Sequence, residues 1–514
     1  MAKQFICRPD YPVVQTKHGK LRGYVEDGTF KFFGIKYADA KRWQMPVEVA
    51  DWDGIKDVFG YGYVSPMLRQ DTPGSGELKV PHRYWPMDEN CQYLNVWTSS
   101  IDPSAKKAVM VWYHGGGYSA GSSIEQVCYD GTSLAANDDV VVVTVNHRLN
   151  ILGYFDVSEY GEEYYNSANV GNADMVASLQ WVHDNIQNFG GDPENVTIFG
   201  QSGGGMKVIS LMQTPAADGL FQHGIAMSGY IVQDDAMPEG GSKAIVEAML
   251  AETGAATVQE MAEMPYSVLA DAYNKVAPDL RKAGKYIGGN GPIKGDWYCG
   301  DPVTYGWRDH AKGIEMLIGS VIDEFKGFMP GRPDRLTMSE ETAHEMVAAE
   351  YGDKADKAIE LFKAAYPGKN LCDLMAIDTV FRPSKIKLIE SRSKECSAAT
   401  YSYLFAFDFP LDCGAGAWHC SDIPFAFHNA ALVPICNQPG VTDALEHRYS
   451  AAYTNFAKYG NPADPSLPCW PACEVGKENT MIFDVECAVR TNHDHELIAL
   501  AVENAANFMG KIEH

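Results

Sequence analysis

Three short runs stand out in the hydropathy pattern of the first half of the chain: residues 109–113 (VMVWY), 140–145 (VVVVTV) and 196–199 (VTIF). Each is rich in β-branched residues, shows no polar alternation and is bounded by glycine or polar turn residues. That predicts strands buried on both faces. Between the second and third, residues 177–189 (ASLQWVHDNIQNF) place apolar side chains at helical spacing, and residues 206–212 form an apolar helical stretch just after the third. Farther along, residues 225–227, 316–318 and 401–406 read as further strands. Residues 340–363, rich in Ala, Glu and Lys, read as a helical insertion or regulatory lobe outside the central sheet. Strand-like runs alternating with helices predict an α/β protein with a large, mostly parallel central sheet flanked by helices and carrying helical insertions. No repeat, low-complexity tract or Pro/Gly/Ser-rich linker interrupts the pattern, so one domain over residues 1–514 is expected.

Composition narrows the function classes. The formal net charge is −25 over 514 residues, with 46% hydrophobic and 21% charged positions. Such a field repels nucleic acid and anionic membranes, and its simplest role is solubility. No apolar run approaches the ~18 residues of a membrane span. Residues 1–12 (MAKQFICRPDYP) lack the apolar core of a secretion signal, and the final KIEH is not a retention tetrapeptide. For a chain complete at its start, the expectation is a cytoplasmic protein. Twelve cysteines are present, at positions 7, 91, 128, 299, 372, 396, 413, 420, 436, 469, 473 and 487. In a chain of this size without a secretion signal they are expected as free thiols. The pairs Cys413/Cys420 and Cys469/Cys473 lack the paired Cys-x-x-Cys spacing of zinc sites, so no metal and no cofactor is expected.

The chemistry is concentrated in residues 196–205 (VTIFGQSGGG), where a strand runs into Gly200-Gln201-Ser202-Gly203-Gly204 and then into a helix. A nucleophilic serine on so tight a strand-to-helix turn needs neighbours without bulk, which is the reason for glycine on either side. By itself a Gly-x-Ser-x-Gly is a weak signal; the flanking elements give it weight. Upstream, His114-Gly115-Gly116-Gly117 directly follows the strand ending at Tyr113. Consecutive glycines let backbone N–H groups converge where a carbonyl oxygen acquires charge, although a flexible turn would read the same in isolation.

These motifs belong to a longer series. Phe32-Phe33-Gly34-Ile35-Lys36-Tyr37-Ala38, Asp88-Glu89-Asn90-Cys91-Gln92-Tyr93-Leu94-Asn95-Val96, Asn146-His147-Arg148-Leu149, residues 189–197 (FGGDPENVT) and residues 455–462 (NFAKYGNP) occur in this order around the serine motif. In all of them the chain resembles type-B carboxylesterases, the group that includes carboxylesterases, cholinesterases and bacterial p-nitrobenzyl esterases. The resemblance implies the α/β-hydrolase fold, and a serine carboxylester hydrolase acting on small to medium esters through an acyl-enzyme. It also implies the remaining catalytic groups. Residues 319–325 (GSVIDEF) are similar to the family's acid segment, so Glu324 takes that role, with Phe325 where glycine is usual. Residues 419–427 (HCSDIPFAF) fit the histidine segment, so His419 is the base; His428 is the competitor.

In that reading Ser202, Glu324 and His419 form the triad, and Gly116, Gly117 and Gly203 donate to the oxyanion. Ser228 matches a supporting serine of the family, with a turn cap as its alternative. Gln201 stands where cholinesterases carry glutamate, and Pro81 where they carry the choline-stacking tryptophan, so recognition of a quaternary amine is not implied. The family's cysteine partner for Cys91 falls near Ser65-Pro66, so that disulfide is expected to be missing. The expected partners are an ester substrate and water, in a monomer or small homo-oligomer. Two alternatives stay open: an enzyme preferring amides, carbamates or lipid esters, and a non-catalytic adhesion or scaffold relative.

Overall fold

The computed structural model describes residues 4–69, 79–328, 334–411 and 414–505. Cys413, the first three residues and the C-terminal KIEH, on which some of the expectations above fall, lie outside these.

A twelve-stranded sheet runs through the molecule. Its parallel block, in spatial order, is β9 (Val141–Val145), β8 (Lys107–Tyr113), β10 (Gly191–Gln201), β11 (His223–Met227), β12 (Glu315–Val321), β13 (Thr400–Phe405) and β14 (Asn479–Phe483). Antiparallel strands extend both edges. β7 (Tyr93–Thr98), β5 (Thr29–Lys36), β4 (Tyr24–Glu26) and β1 (Phe5–Ile6) lie beyond β9, and β15 (Ala488–Thr491) beyond β14. A separate three-stranded sheet holds β2 (Val13–Gln15), β3 (Lys20–Arg22) and β6 (Ile55–Asp57). All six expected strands are present. The one expected over residues 196–199 is part of an eleven-residue strand, because pairing with β8 begins already at Gly191, before a register shift.

The continuous apolar runs follow from burial on both faces. Along β8, Val109, Val111 and Tyr113 enter one core, with Val141, Val143 and Val145 of β9 and with Leu179 and Val182 of the helix Val170–Asn185. Met110 and Trp112 enter the other, with Phe199, Leu317 and Phe427. Successive side chains of a strand point to opposite faces, so neither face tolerates polar alternation. The segment 340–363 is not one helix but two, Glu340–Tyr351 and Ala355–Ala365, broken at Gly352, which has φ +57°. Their apolar faces join the second core through Val347, Ala358 and Phe362. A third core, around Trp43, Phe155 and the helices Lys243–Thr253 and Tyr266–Lys282, forms the other helical addition.

Two of the sequence motifs have structural explanations that link distant segments. At Gly34 the β5–β7 register shifts, and its diverted N–H donates to Asn95 Oδ1 at 3.0 Å. Asn95 in turn donates to Thr144 Oγ1 of β9 at 3.0 Å, so one buried amide joins three strands. Arg148, after β9, is buried and bidentate on Asp174 of the helix Val170–Asn185, at 2.8 and 2.7 Å. It also donates to the carbonyls of Lys41 and Gln44. Cys91 is buried in contact with the Ser65 hydroxyl, at the place where the family's disulfide partner would fall.

Candidate active site

At the carboxyl end of β10 the chain reverses into the helix Gly203–Met212, and Ser202 occupies the turn with φ +58° and ψ −127°. This is a strained conformation for a residue with a side chain. It is held by Ser202 N–H donating to Met227 O of β11 at 2.8 Å, and by Met206 N–H donating back to Ser202 O at 3.2 Å. The turn closes only because its neighbours lack side chains: a methyl on Gly204 would collide with Tyr113 O, and one on Gly203 with the backbone of Gly117. Ser202 is half-buried at the mouth of this turn.

The loop after β8 lies against it. Gly116 and Gly117 have φ of +84° and +61°, and Ala120 N–H donates to Gly116 O at 3.0 Å. A methyl built on Gly115 would stand 3.4 Å from Ser202 Cβ, so loop and serine are in direct apposition. Among the described residues, the N–H groups of Gly116 and Gly117 donate to no protein acceptor. Gly203, as the first residue of its helix, has no partner one turn back. Three backbone donors therefore remain available beside one hydroxyl.

Glu324 and His419 come together from segments 95 residues apart. Glu324 follows β12 in a left-handed conformation, φ +42°, and a bridge pairs it with Trp418, so that His419 N–H donates to Glu324 O at 3.0 Å. Their side chains meet as well: His419 Nδ1 lies 2.6 Å from Glu324 Oε2. The other carboxylate oxygen accepts from Val321 N–H at 2.9 Å. Both residues are buried, at 5% and 1% exposure. The imidazole is held by rings. Phe381 stacks parallel to it at 5.1 Å, and Phe325 lies tilted at 4.5 Å. The departure from glycine at 325 thus leaves the turn intact and supplies an aromatic wall.

Gln201 Nε2 is 3.3 Å from both ring nitrogens of His419. One amide cannot aim along two in-plane lone pairs at once, so this is an amide against the ring face rather than a directional bond. Its Oε1 accepts from Cys420 Sγ at 3.2 Å.

Asp323 faces away. It lies among Asp373, Asp408, Lys369 and Arg335, and burial, reinforced by the two acids, pushes its carboxyl well above the usual range. His428 is likewise elsewhere, 2.9 Å from Asp138 Oδ2, and that hydrogen bond raises its pKa. Ser228 is buried with φ +42°, and among the described residues its hydroxyl makes no hydrogen bond, so it caps no turn there.

Two buried acids near Glu324 escaped the sequence reading. Asp378 is pushed up to about 7 by burial and by the Glu324 charge, against backbone N–H donors at Val380 and Arg382. Asp422 is pushed up to about 6 by the same two effects, against hydrogen bonds from Tyr449 and Tyr403. Asp422 lay inside the quoted histidine segment; nothing in the local sequence of Asp378 marked it.

A parallel sheet flanked by helices, with a serine on the turn between strand and helix at its carboxyl edge, defines the class: this is an α/β hydrolase. Within that class the chain belongs to the carboxylesterase family, whose model, described as "Carboxylesterase family", matches residues 10–498. It is a carboxylic ester hydrolase. The para-nitrobenzyl esterase of Bacillus subtilis (strain 168) is 31% identical over 95% of this chain and 97% of its own. The phenmedipham hydrolase of Pseudarthrobacter oxydans is 29% identical over 93% and 96%. Among solved structures, an esterase from anaerobic Clostridium hathewayi, described as able to hydrolyse aliphatic aromatic polyesters, superposes with a TM-score of 0.94 at 49% identity. That alignment covers 98% of this chain and 100% of the other.

Proposed function

We propose that Ser202 attacks the carbonyl of small to medium carboxylic esters, with His419 as its base and Glu324 as the acid that orients the histidine. The observation that carries this reading is the contact of Glu324 Oε2 with His419 Nδ1. It commits the Nδ1 proton to the carboxylate, leaving Nε2 as the basic nitrogen. His419 then takes the Ser202 proton as the acyl bond forms and returns it to the departing alcohol. The free N–H groups of Gly116, Gly117 and Gly203 receive the oxyanion, and water repeats the cycle on the acyl-enzyme. Ser228 follows Met227, whose carbonyl accepts the Ser202 N–H, and in this reading it backs the serine turn.

A single domain, acting as a monomer or small homo-oligomer in the reducing cytoplasm, completes the reading. Free thiols at Cys7, Cys91, Cys128 and Cys436 support the last point, and no helix among the described residues is long and apolar enough to cross a membrane. Ser202→Ala is expected to lower turnover of a p-nitrophenyl ester by roughly 10⁴-fold or more. It is also expected to abolish labelling by a fluorophosphonate probe. A variant still labelled at another serine would overturn the assignment.

A further inference from the structure

The proposed oxyanion pocket is assembled from two segments that no covalent bond joins: the glycine loop after β8 and the N-terminus of the helix Gly203–Met212. They touch at Gly117 and Gly203. Four residues after Gly203, and therefore on the same face of the helix, stands Lys207, among Met206, Val208, Ile209 and Leu211. It is fully buried, and its Nζ donates to the carbonyl of His114, the first residue of the glycine loop, at 2.8 Å. A buried ammonium is costly, and an apolar side chain would fill this place more stably.

No carboxylate among the described residues forms an ion pair with it. Glu125 is the acid that bears on it, and the Glu125 oxygens accept from Ser122 N–H at 3.2 Å and Tyr129 O–H at 3.3 Å. His82 also bears on Glu125. The other titratable neighbours are His114 and His147, whose rings stack at 5.2 Å. Burial, with the Lys207 charge beside them, holds both well below the ordinary histidine range, and Arg148 adds to this at His147. The ammonium thus faces neutral imidazoles on one side and the back of the glycine loop on the other.

From this geometry we infer that Lys207 is a positioning residue of the esterase. Its ammonium ties the helix that carries one oxyanion donor to the loop that carries the other two, and it places a positive charge behind the developing oxyanion. In a low-dielectric interior such a fixed charge acts with little screening. Burial brings the Lys207 pKa down to about 7, so the charge is present below neutrality and lost as pH rises through it. The inference rests on the assignment of Ser202 and the three glycines above.

The test is kcat and KM on a p-nitrophenyl ester between about pH 6 and pH 9, for the wild type, Lys207→Met and Lys207→Gln. The wild type should lose kcat toward the alkaline end. The Met variant, with neither charge nor donor, should have kcat lowered at least about 10-fold with KM within about twofold, and no alkaline decline. The Gln variant keeps a neutral N–H for His114 O; it should melt nearer the wild type yet also lack the decline. A folded variant with wild-type kcat and wild-type pH profile overturns the inference, and so does a wild type without an alkaline decline, even if neither variant folds. Fluorophosphonate labelling of Ser202 in the wild type separates the cases: without it the underlying triad has failed, whereas with it only the role of Lys207 has.

Discussion

Glu324 and Asp323 are adjacent carboxylates at the end of β12, and their side chains face different surroundings. Glu324 touches His419 Nδ1 and accepts Val321 N–H. Asp323 is desolvated beside two further acids, which favours its neutral form. Glu324→Gln keeps the volume but removes the charge that balances an imidazolium. It should lower kcat by about 10²- to 10⁴-fold with little change in stability. Asp323→Asn puts an amide of the same shape in place of a carboxyl that does not touch His419, so its kcat should stay within about threefold. The reverse result for the two variants, measured on one activated ester, would move the triad acid to the wrong neighbour. Phe325, which departs from the family pattern, belongs to the same scale: its ring and that of Phe381 fix the plane of the imidazole.

The helix Phe381–Glu395 contributes Phe381 to that wall, and the next residue anchors the helix. Arg382 is buried and donates to both oxygens of Glu478 at 2.7 and 2.8 Å, and to Asp494 Oδ2 at 2.9 Å. It thereby ties the helix to the start of β14 and to the start of the helix His495–Asn504. Burial alone would raise the Glu478 pKa, but Arg382 and Lys385 outweigh it and hold it well below the usual value. Arg382→Met removes the cation shared by two buried carboxylates and should cost roughly 3–5 kcal/mol in denaturant unfolding at neutral pH. A carboxylate with a depressed folded pKa contributes stability above its unfolded pKa and loses it as pH falls. The deficit of the variant should therefore shrink as the pH is lowered below about 4. A deficit that stays constant with pH would mean that lost packing, and not the ion pairs, is what the substitution removes.

For the molecule as a whole, the packing of the sheet carries the stability. Seven parallel strands buried on both faces are covered by two large apolar clusters, and Cys91 is matched by Ser65 rather than by a thiol. Thiol titration in denaturant without reductant should count twelve thiols per chain, and millimolar dithiothreitol should leave the melting temperature unchanged. A clear drop in melting temperature would reveal a disulfide that the packing does not call for.

Six of the seven strands of the parallel block, the helix after Ser202 and the glycine loop were legible in the linear pattern because burial on both faces and a tight turn both restrict residue type locally; β14 was not read from it. The parts proposed for Glu324 and His419 were not legible in that way. The meeting of Glu324 with His419 depends on a bridge between residues 324 and 418 and on a left-handed residue after β12; resemblance to a family pointed to both residues, and periodicity to neither. Residues 340–363 are helical as read, and the sequence left the break at Gly352 undetermined because glycine in an Ala/Glu/Lys-rich stretch costs a helix only about 1 kcal/mol. Asp378, Asp422 and Lys207 were invisible as functional candidates because a charged residue in a sequence reads as surface. Only the tertiary structure buries them, and burial is what shifts their protonation and sets them against the site. The continuous apolar runs and the glycines therefore determine the scaffold and the turn at Ser202 from nearest neighbours alone. The electrostatics around that turn are decided by groups from segments far apart in the chain, whose charges acquire their energies only where the fold excludes water.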